Sequence, residues 1–270
     1  MLTDSLIGEL RNIVGEFQVS VNRADTELYS YDASLARGQP GVVVFPADTR
    51  EASMIVRAAN RAGITFVPRG FGTNLSGGTV LPSGGLVICL SRFNRILEVC
   101  PQSRHAVVQP GVTNLELQNA LAPLGFFYAP DPASQKVATL GGNVGENSGG
   151  PRCLKYGVTT NHVLGMEMIL PDGDIIRTGG PALDPPGYDL RGAIIGSEGT
   201  LGIVTEITVR ILPFPASIIT MLAIYNDIGD AARSVSDIIS AGMVPTTLEM
   251  MDAPVSYTHL TLPTTRQRCR

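Results

Sequence analysis

Charge is scarce in this chain. Asp, Glu, Lys and Arg make up 16% of its 270 residues, with a net charge of −4 and a hydrophobic fraction of 44%. Globular proteins average about 25% charged residues, so long solvating or disordered segments are not expected. No run of basic residues precedes the last five positions, which removes the footprint of a nucleic-acid binder and leaves a small molecule as the expected partner. Cysteine is sparse and scattered: Cys89, Cys100, Cys153 and Cys269 make no CxxC and no Cys/His ligand spacing. Neither a zinc site nor an iron–sulfur cluster is therefore expected, and the thiols read as free and buried. An uninterrupted apolar leader is also missing, because Asp4, Glu9, Arg11 and Glu16 punctuate the start, so the expected address is cytoplasmic. The charge-free stretches Gly70 to Ser91 and Ile211 to Asn226 are broken by Gly or Pro, and no transmembrane helix is expected.

What is present reads first as alternating elements. At about 150 residues per domain, the length suits one large domain or two. Leu6, Leu10, Ile13 and Val14 share a helical face over residues 3–16. Val42 to Phe45 reads as a strand. A helix follows, with Asp48 and Glu51 at capping-box spacing, an apolar stripe at Ala52, Ile55, Val56 and Ala59, and Gly63 at its end. Thr65 to Val67 is the next strand, which makes a βαβ unit with parallel pairing. Further on, Val163 to Leu170 and Ile175 to Thr178 flank Pro171-Asp172-Gly173-Asp174 as an antiparallel hairpin, and Ile203 to Leu212 alternates. After Pro213 and Pro215 the texture resets: a strand over Ile218 to Tyr225, a helix capped by Asp227 and ended by Gly242, and a strand over Thr246 to Met250. The last residues, 255–270, have no periodicity and read as foreign or disordered.

Glycine is concentrated. Residues 68–85, 141–157 and 187–202 hold seventeen of the thirty glycines. The first cluster, PRGFGTNLSGG, directly follows a strand, where successive backbone N–H groups can turn toward one anion and glycine permits close approach. By itself this GxGxxxxG is neither GxGxxG nor a P-loop, and an ordinary glycine-rich surface loop remains open for it. PDPAS with TLGGNVGENSGG makes the second cluster and GSEGTLGIVTE the third, and three such loops point to one extended ligand.

Those motifs, in that order and spacing, resemble the FAD-binding half of the vanillyl-alcohol oxidase/p-cresol methylhydroxylase (PCMH) superfamily, and most nearly its branch of glycolate oxidase D subunits and FAD-linked D-lactate dehydrogenases. The resemblance covers residues 38–252. It implies an α+β, two-subdomain PCMH-type FAD-binding fold, with a small parallel βαβ subdomain and a mainly antiparallel one, followed by the start of an α+β substrate domain. The implied organisation is an N-terminal helical segment at 1–37, the FAD-binding domain at 38–215, a truncated substrate domain at 216–254 and the tail at 255–270. The pyrophosphate is implied at Pro68, Arg69, Gly70, Phe71, Gly72, Thr73 and Asn74, with Ser76 and Gly77 nearby. Pro130, Asp131, Ser134, Thr139, Gly141, Gly142, Gly145, Asn147 and Gly149 are implied along the flavin and ribityl chain, and Glu198, Gly199, Gly202, Ile203 and Val204 on the adenine side. Phe71 and Asn74 stand where relatives often carry smaller residues. Thr73 stands where flavinylated relatives carry His, so noncovalent FAD is implied.

The reaction implied is oxidation of a 2-hydroxy acid such as glycolate or D-lactate by hydride transfer to flavin N5. The base and the carboxylate-binding cation are implied in a C-terminal substrate domain, so no catalytic residue is named in this chain. An iron–sulfur or second flavin-binding subunit is the implied partner, with peripheral attachment to the inner membrane through it. The alternative is a noncatalytic flavin-binding subunit of an oxidase complex. A reductase of the enolpyruvyl-UDP-N-acetylglucosamine type, on the same fold, would lack the GSEGTLGIVTE stretch. His105 and His162 read as surface or structural histidines, His259 falls in the tail, Arg152 and Lys155 read as solvated loop charges, and Met166, Met168, Met250 and Met251 as strand residues packed in a core.

Overall fold

Two sheets organise the computed structural model, which describes residues 2–181 and 187–252. The strands are β1 (Val19–Ser20), β2 (Val42–Val44), β3 (Phe66–Arg69), β4 (Leu86–Cys89), β5 (Ile96–Cys100), β6 (His105–Val108), β7 (Phe126–Phe127), β8 (Val163–Ile169), β9 (Ile175–Gly179), β10 (Ile203–Arg210) and β11 (Leu212–Pro213). The helices are α1 (Asp4–Val14), α2 (Arg23–Glu27), α3 (Thr49–Arg61), α4 (Asn114–Leu121), α5 (Leu140–Glu146), α6 (Cys153–Tyr156), α7 (Leu190–Ile194) and α8 (Ile228–Ser240).

The first sheet has the order β1-β2-β4-β3, with β2, β4 and β3 parallel and β1 antiparallel at the edge. The expected strand–helix–strand unit is present, but its strands are not neighbours, because β4 lies between them. All four residues of β4, LVIC, are buried; such a run has no alternation because a central parallel strand is covered on both faces. α3 forms as its sequence dictates: the Asp48 carboxylate accepts from the Glu51 N–H at 2.8 Å, and Glu51 accepts from the Ala47 N–H at 2.7 Å. Its buried face, including Ala52, Ile55, Val56 and Ala59, packs with Leu6 and Leu10 of α1 and with Val42, Val44, Leu86 and Ile88 of the sheet.

The second sheet, β5-β6-β10-β8-β9, is antiparallel throughout. β8 and β9 form the expected hairpin, with Gly173 at φ +91° in the turn. Its core holds Val108, Leu117, Leu121, Tyr128, Leu140, Met168, Ile207 and Val209. The sheets are joined through α3. Ser53 Oγ donates to the Gly173 carbonyl at 2.6 Å, Thr49 Oγ1 donates to Glu167 Oε1 at 2.8 Å, and Arg57 pairs with Asp174 at 2.7 Å. Ile169 and Ile203 of the second sheet also complete the first core. The result is the α+β, two-subdomain arrangement expected.

Beyond Phe214 the expectations hold only for the helix. α8 forms with the Asp227 cap, but Ile218–Tyr225 and Thr246–Met250 are not strands. The reason is the source of the hydrogen bonds: a helix supplies its own, whereas a strand needs a neighbour, and none pairs with these segments among the described residues. Ile218, Ile219, Met221, Leu222 and Ile224 are 78–88% exposed. Met250 and Met251 are likewise exposed and lie on no strand, which corrects their assignment to a core, while Met166 and Met168 are buried on β8 as expected. The tail 255–270, with His259 and Cys269, lies outside the described residues, as does the end of the 216–254 segment. Among the described residues no helix is long and apolar enough to cross a membrane.

Candidate functional site

The three glycine clusters meet along one groove of about 1010 Å³, counted with its open mouth. The first wall is the loop leaving β3: Pro68, Arg69, Gly70, Phe71, Gly72, Thr73 and Asn74, with Gly78 and Thr79. The second is α5 and the chain before it, from Ser134, Ala138 and Thr139 through Gly141, Gly142, Asn143, Val144, Gly145 and Glu146 to Ser148. Ser197, Glu198, Gly199, Gly202, Ile203 and Val204, at the start of β10, form the third, over a floor of Leu90, Pro110 and Ile194.

Short range chemistry shapes the first loop. From Phe71 to Gly78 no backbone N–H donates to any described residue, so a run of main-chain donors is left for a ligand. Gly72 sits at φ +68°, and a Cβ there would lie 2.4 Å from Arg69 Nη2. Arg69 itself is buried beneath the loop, donating to the Tyr31 carbonyl at 2.7 Å and Thr79 Oγ1 at 3.3 Å with its guanidinium over the Tyr29 ring. Burial lowers its pKa, and the neighbouring Cys89, Asp32 and tyrosines oppose that only in part. The guanidinium therefore braces the loop, and the loop's polarity toward the groove is main-chain polarity. Asp32, which sequence reasoning missed, ties the loop from below: it accepts from Ser34 N at 2.8 Å, Asn74 Nδ2 at 2.9 Å and Thr79 Oγ1 at 3.3 Å. Burial raises its carboxyl, but these hydrogen bonds outweigh burial and hold it below the usual range.

The third loop is fastened to both others. Glu198, at φ +54°, donates its N–H to the Gly145 carbonyl at 2.9 Å, while Ser76 Oγ donates to Glu198 Oε2 at 3.1 Å. Gly199 passes so close to Pro68 that a Cβ would lie 2.6 Å from its ring. Ser76 also reaches Glu146 at 3.5 Å, and the Glu146 carboxyl is raised by burial and then by Glu198. That acidic corner suits hydroxyl or amine donors of a ligand better than phosphate.

Six expected residues lie off the wall. Ser76 and Gly77 sit at its rim. Asn147 is the αL cap of α5 (φ +50°) and accepts from Thr160 N at 2.9 Å. Asp131 pairs with Arg152 at 3.1 Å, the Pro130 carbonyl accepts from Asn114 Nδ2 at 3.1 Å, and Gly149 packs against Cys153. Arg152 is thus an ion-pair partner rather than a solvated charge, and Lys155 stands over the Tyr156 ring. Both histidines are buried: Nε2 of His162 meets the Tyr156 carbonyl at 2.9 Å, and His105 begins β6. Leu90, Pro110 and Ile194 reach the groove from distant segments and carry no local signal.

A model of the FAD binding domain family matches residues 40–179. The chain belongs to that family. Among the relatives it matches, glycolate oxidase subunit GlcD of Bacillus subtilis is 45% identical over 98% of this chain and 58% of its own. GlcD of Escherichia coli strain K12 is 41% identical (87% of this chain, 48% of its own), and the D-lactate dehydrogenase of Anaerostipes hadrus 34% (94% and 54%). The chain spans about half the length of the curated relatives it matches. The fold is that of p-cresol methylhydroxylase in its substrate-bound structure (TM-score 0.75, 21% identity, 87% of this chain and 48% of that one). FAD is the cofactor of the family, and the groove fits it: its first loop has main-chain donors without described acceptors, and Gly72 and Gly199 let the loops pack where a Cβ would meet Arg69 or Pro68.

Proposed function

We propose that this chain holds the flavin of a 2-hydroxy-acid oxidase or dehydrogenase of the glycolate or D-lactate type, with FAD bound noncovalently. The observation that carries it is the groove formed by the three glycine loops, whose first wall leaves the N–H groups of Phe71 to Asn74 and of Gly78 free of described acceptors. Bound FAD would supply the hydride-accepting ring. The loop from Gly70 to Asn74 would hold the pyrophosphate by main-chain donors, and Glu146 and Glu198 would take hydroxyl or amine donors of the ribityl or adenosine parts. Thr73 offers no imidazole for a covalent bond.

The names of the relatives support the substrate class: glycolate, D-lactate and, in Stutzerimonas stutzeri, D-2-hydroxyglutarate are all 2-hydroxy acids. Arg69 is the one cation lining the groove among the described residues, and it is engaged beneath the loop. The cation for the substrate carboxylate and the proton-accepting base are therefore assigned to the length that the relatives have in addition, with residues 216–254 as the start of a substrate domain. A partner subunit carrying the electrons onward, and attachment to a membrane through it, belong to the same reading.

The 270-residue chain is expected to purify with about one FAD per chain, released by acid precipitation, and to reduce dye with glycolate or D-lactate negligibly. Flavin that stays with the precipitate overturns noncovalent binding; a colourless chain that cannot be reconstituted overturns the site. A chain extended to the length of the relatives that binds FAD yet oxidises no 2-hydroxy acid favours the noncatalytic subunit.

A further inference from the structure

Away from the groove, the β5–β6 hairpin gathers three metal-ligating side chains at the edge of the second sheet. Cys100 and His105 are directly opposed across the hairpin, and Glu98 lies two residues before Cys100 on the same face of β5. One ligand atom from each, the Cys100 thiol, a His105 ring nitrogen and a Glu98 carboxylate oxygen, lies within 4.8 Å of the other two. None of the three lines the flavin groove.

The histidine supplies a second observation. His105 is 92% buried by its 8% exposure, yet neither ring nitrogen makes a hydrogen bond to a described residue: Nδ1 is fully enclosed without a partner, and Nε2 stands 3.7 Å from Glu98 Oε1, beyond hydrogen-bond reach. Nε2 is the nitrogen turned toward Glu98, and at that distance it has no hydrogen bond and is open to a closer ligand. Gln102, in the connecting turn, brings its side-chain carbonyl 3.8 Å from the Cys100 sulfur.

We propose that Glu98, Cys100 and His105 form a second site, for a divalent transition cation of which Zn²⁺ is the test case. Thiolate, imidazole and carboxylate are the donors Zn²⁺ takes at about 2.0–2.3 Å, and one such atom from each residue already lies within 4.8 Å of the other two. Binding releases the thiol proton, and one thiolate with one carboxylate balances the dication. The donors come from two strands, so the ion clips the edge strand β5 to β6. The linear spacing Cys-x4-His conceals this, because the pairing that joins the two residues is made by the sheet.

The test uses the FAD-loaded chain, stripped of metal by a chelator and dialysed against Zn²⁺, and reads both metal and flavin. One Zn²⁺ per chain is expected; Cys100→Ser or His105→Ala should weaken it by more than the ~10–100-fold that an outer-shell partner costs, with FAD content unchanged. Zinc stoichiometry and affinity unaltered in both variants, or no zinc retained by the parent chain, overturns the site. Should a variant fail to fold, the parent chain decides: Zn²⁺ must protect Cys100 from alkylation in the peptide map, and an unprotected Cys100 overturns the proposal. Flavin loss or retention bears on the groove alone.

Discussion

Two helices of equal length invite comparison. α3 and α8 each run for 13 residues, each with an aspartate N-cap, and each is followed by a glycine in the left-handed region, Gly63 at φ +62° and Gly242 at φ +77°. α3 buries six residues, and α8 buries none. Caps and periodicity are local, so both helices form; burial is supplied by neighbours, and of the two only α3 has a sheet beneath it among the described residues. The nearby segments extend the lesson. Val42–Val44 is a strand because Leu86–Cys89 pairs with it, while the equally apolar Ile218–Tyr225 has no ladder among the described residues and stays unpaired.

The largest effect expected from this comparison comes from truncating the two stripes. Ile55→Ala should cost ~2–5 kcal/mol, because Ile55 is fully enclosed, whereas Ile239→Ala should stay within ~0.5 kcal/mol. Urea unfolding reads both; equal midpoint shifts would mean that α8 is packed in solution.

Within the groove the expected contrast is between backbone and side chain. Gly72→Val should release FAD, since the backbone is left-handed there and the new side chain meets Arg69. Thr73→Ala removes at most one hydrogen bond, worth ~1 kcal/mol. Flavin stoichiometry after gel filtration compares them, and equal losses would assign the site to side chains instead.

The caps sharpen the same point at smaller scale. Asp48→Ala should lower global stability by ~0.5–2 kcal/mol. Asp227→Ala should leave the unfolding midpoint unmoved and raise amide exchange only within α8. Protection of α8 unaffected by the loss of Asp227 would show that tertiary packing holds that helix.

The smallest effects are in pH dependence. Burial raises the Glu167 carboxyl, but hydrogen bonds from Thr49, Thr205 and Arg177 outweigh it and hold it below the usual range. Its contribution is therefore present above the ordinary carboxylate pKa and lost as pH falls through the lowered one. Glu146 has the opposite sign: raised by burial and by Glu198, it stabilises least once pH exceeds its raised value. Between pH 4 and 7 Glu167→Gln should lose stability relative to the parent as pH rises, and Glu146→Gln should gain it. Parallel pH profiles for the two variants would refute both assignments.

Much of this was legible in the sequence where interactions are short-range: α1, α3, α8, the β8–β9 hairpin and the glycine-rich loops all follow from caps, turn residues and periodicity. β4 was not, because a strand covered on both faces has no alternation to read, and its place between β2 and β3 is a long-range choice. Asp32 and Arg69 show the same limit at the site. Asp32 braces Asn74 from another segment, and although the motif includes Arg69 it does not record that its guanidinium turns beneath the loop. Cys100 and His105 meet only through the register of a hairpin.

The double attachment of Glu198 has a kinetic side. Its main chain is bonded to Gly145 and its carboxylate to Ser76, so one residue links the three loops of the groove. Bonds that join the walls of a groove act on how readily those walls part, so the loss of Glu198 is expected to change the rate of ligand exchange more than its equilibrium. Glu198→Ala should accordingly speed FAD exchange in both directions, seen as faster loss of bound flavin to a scavenging apoprotein and faster reloading, with a smaller change in the equilibrium between them.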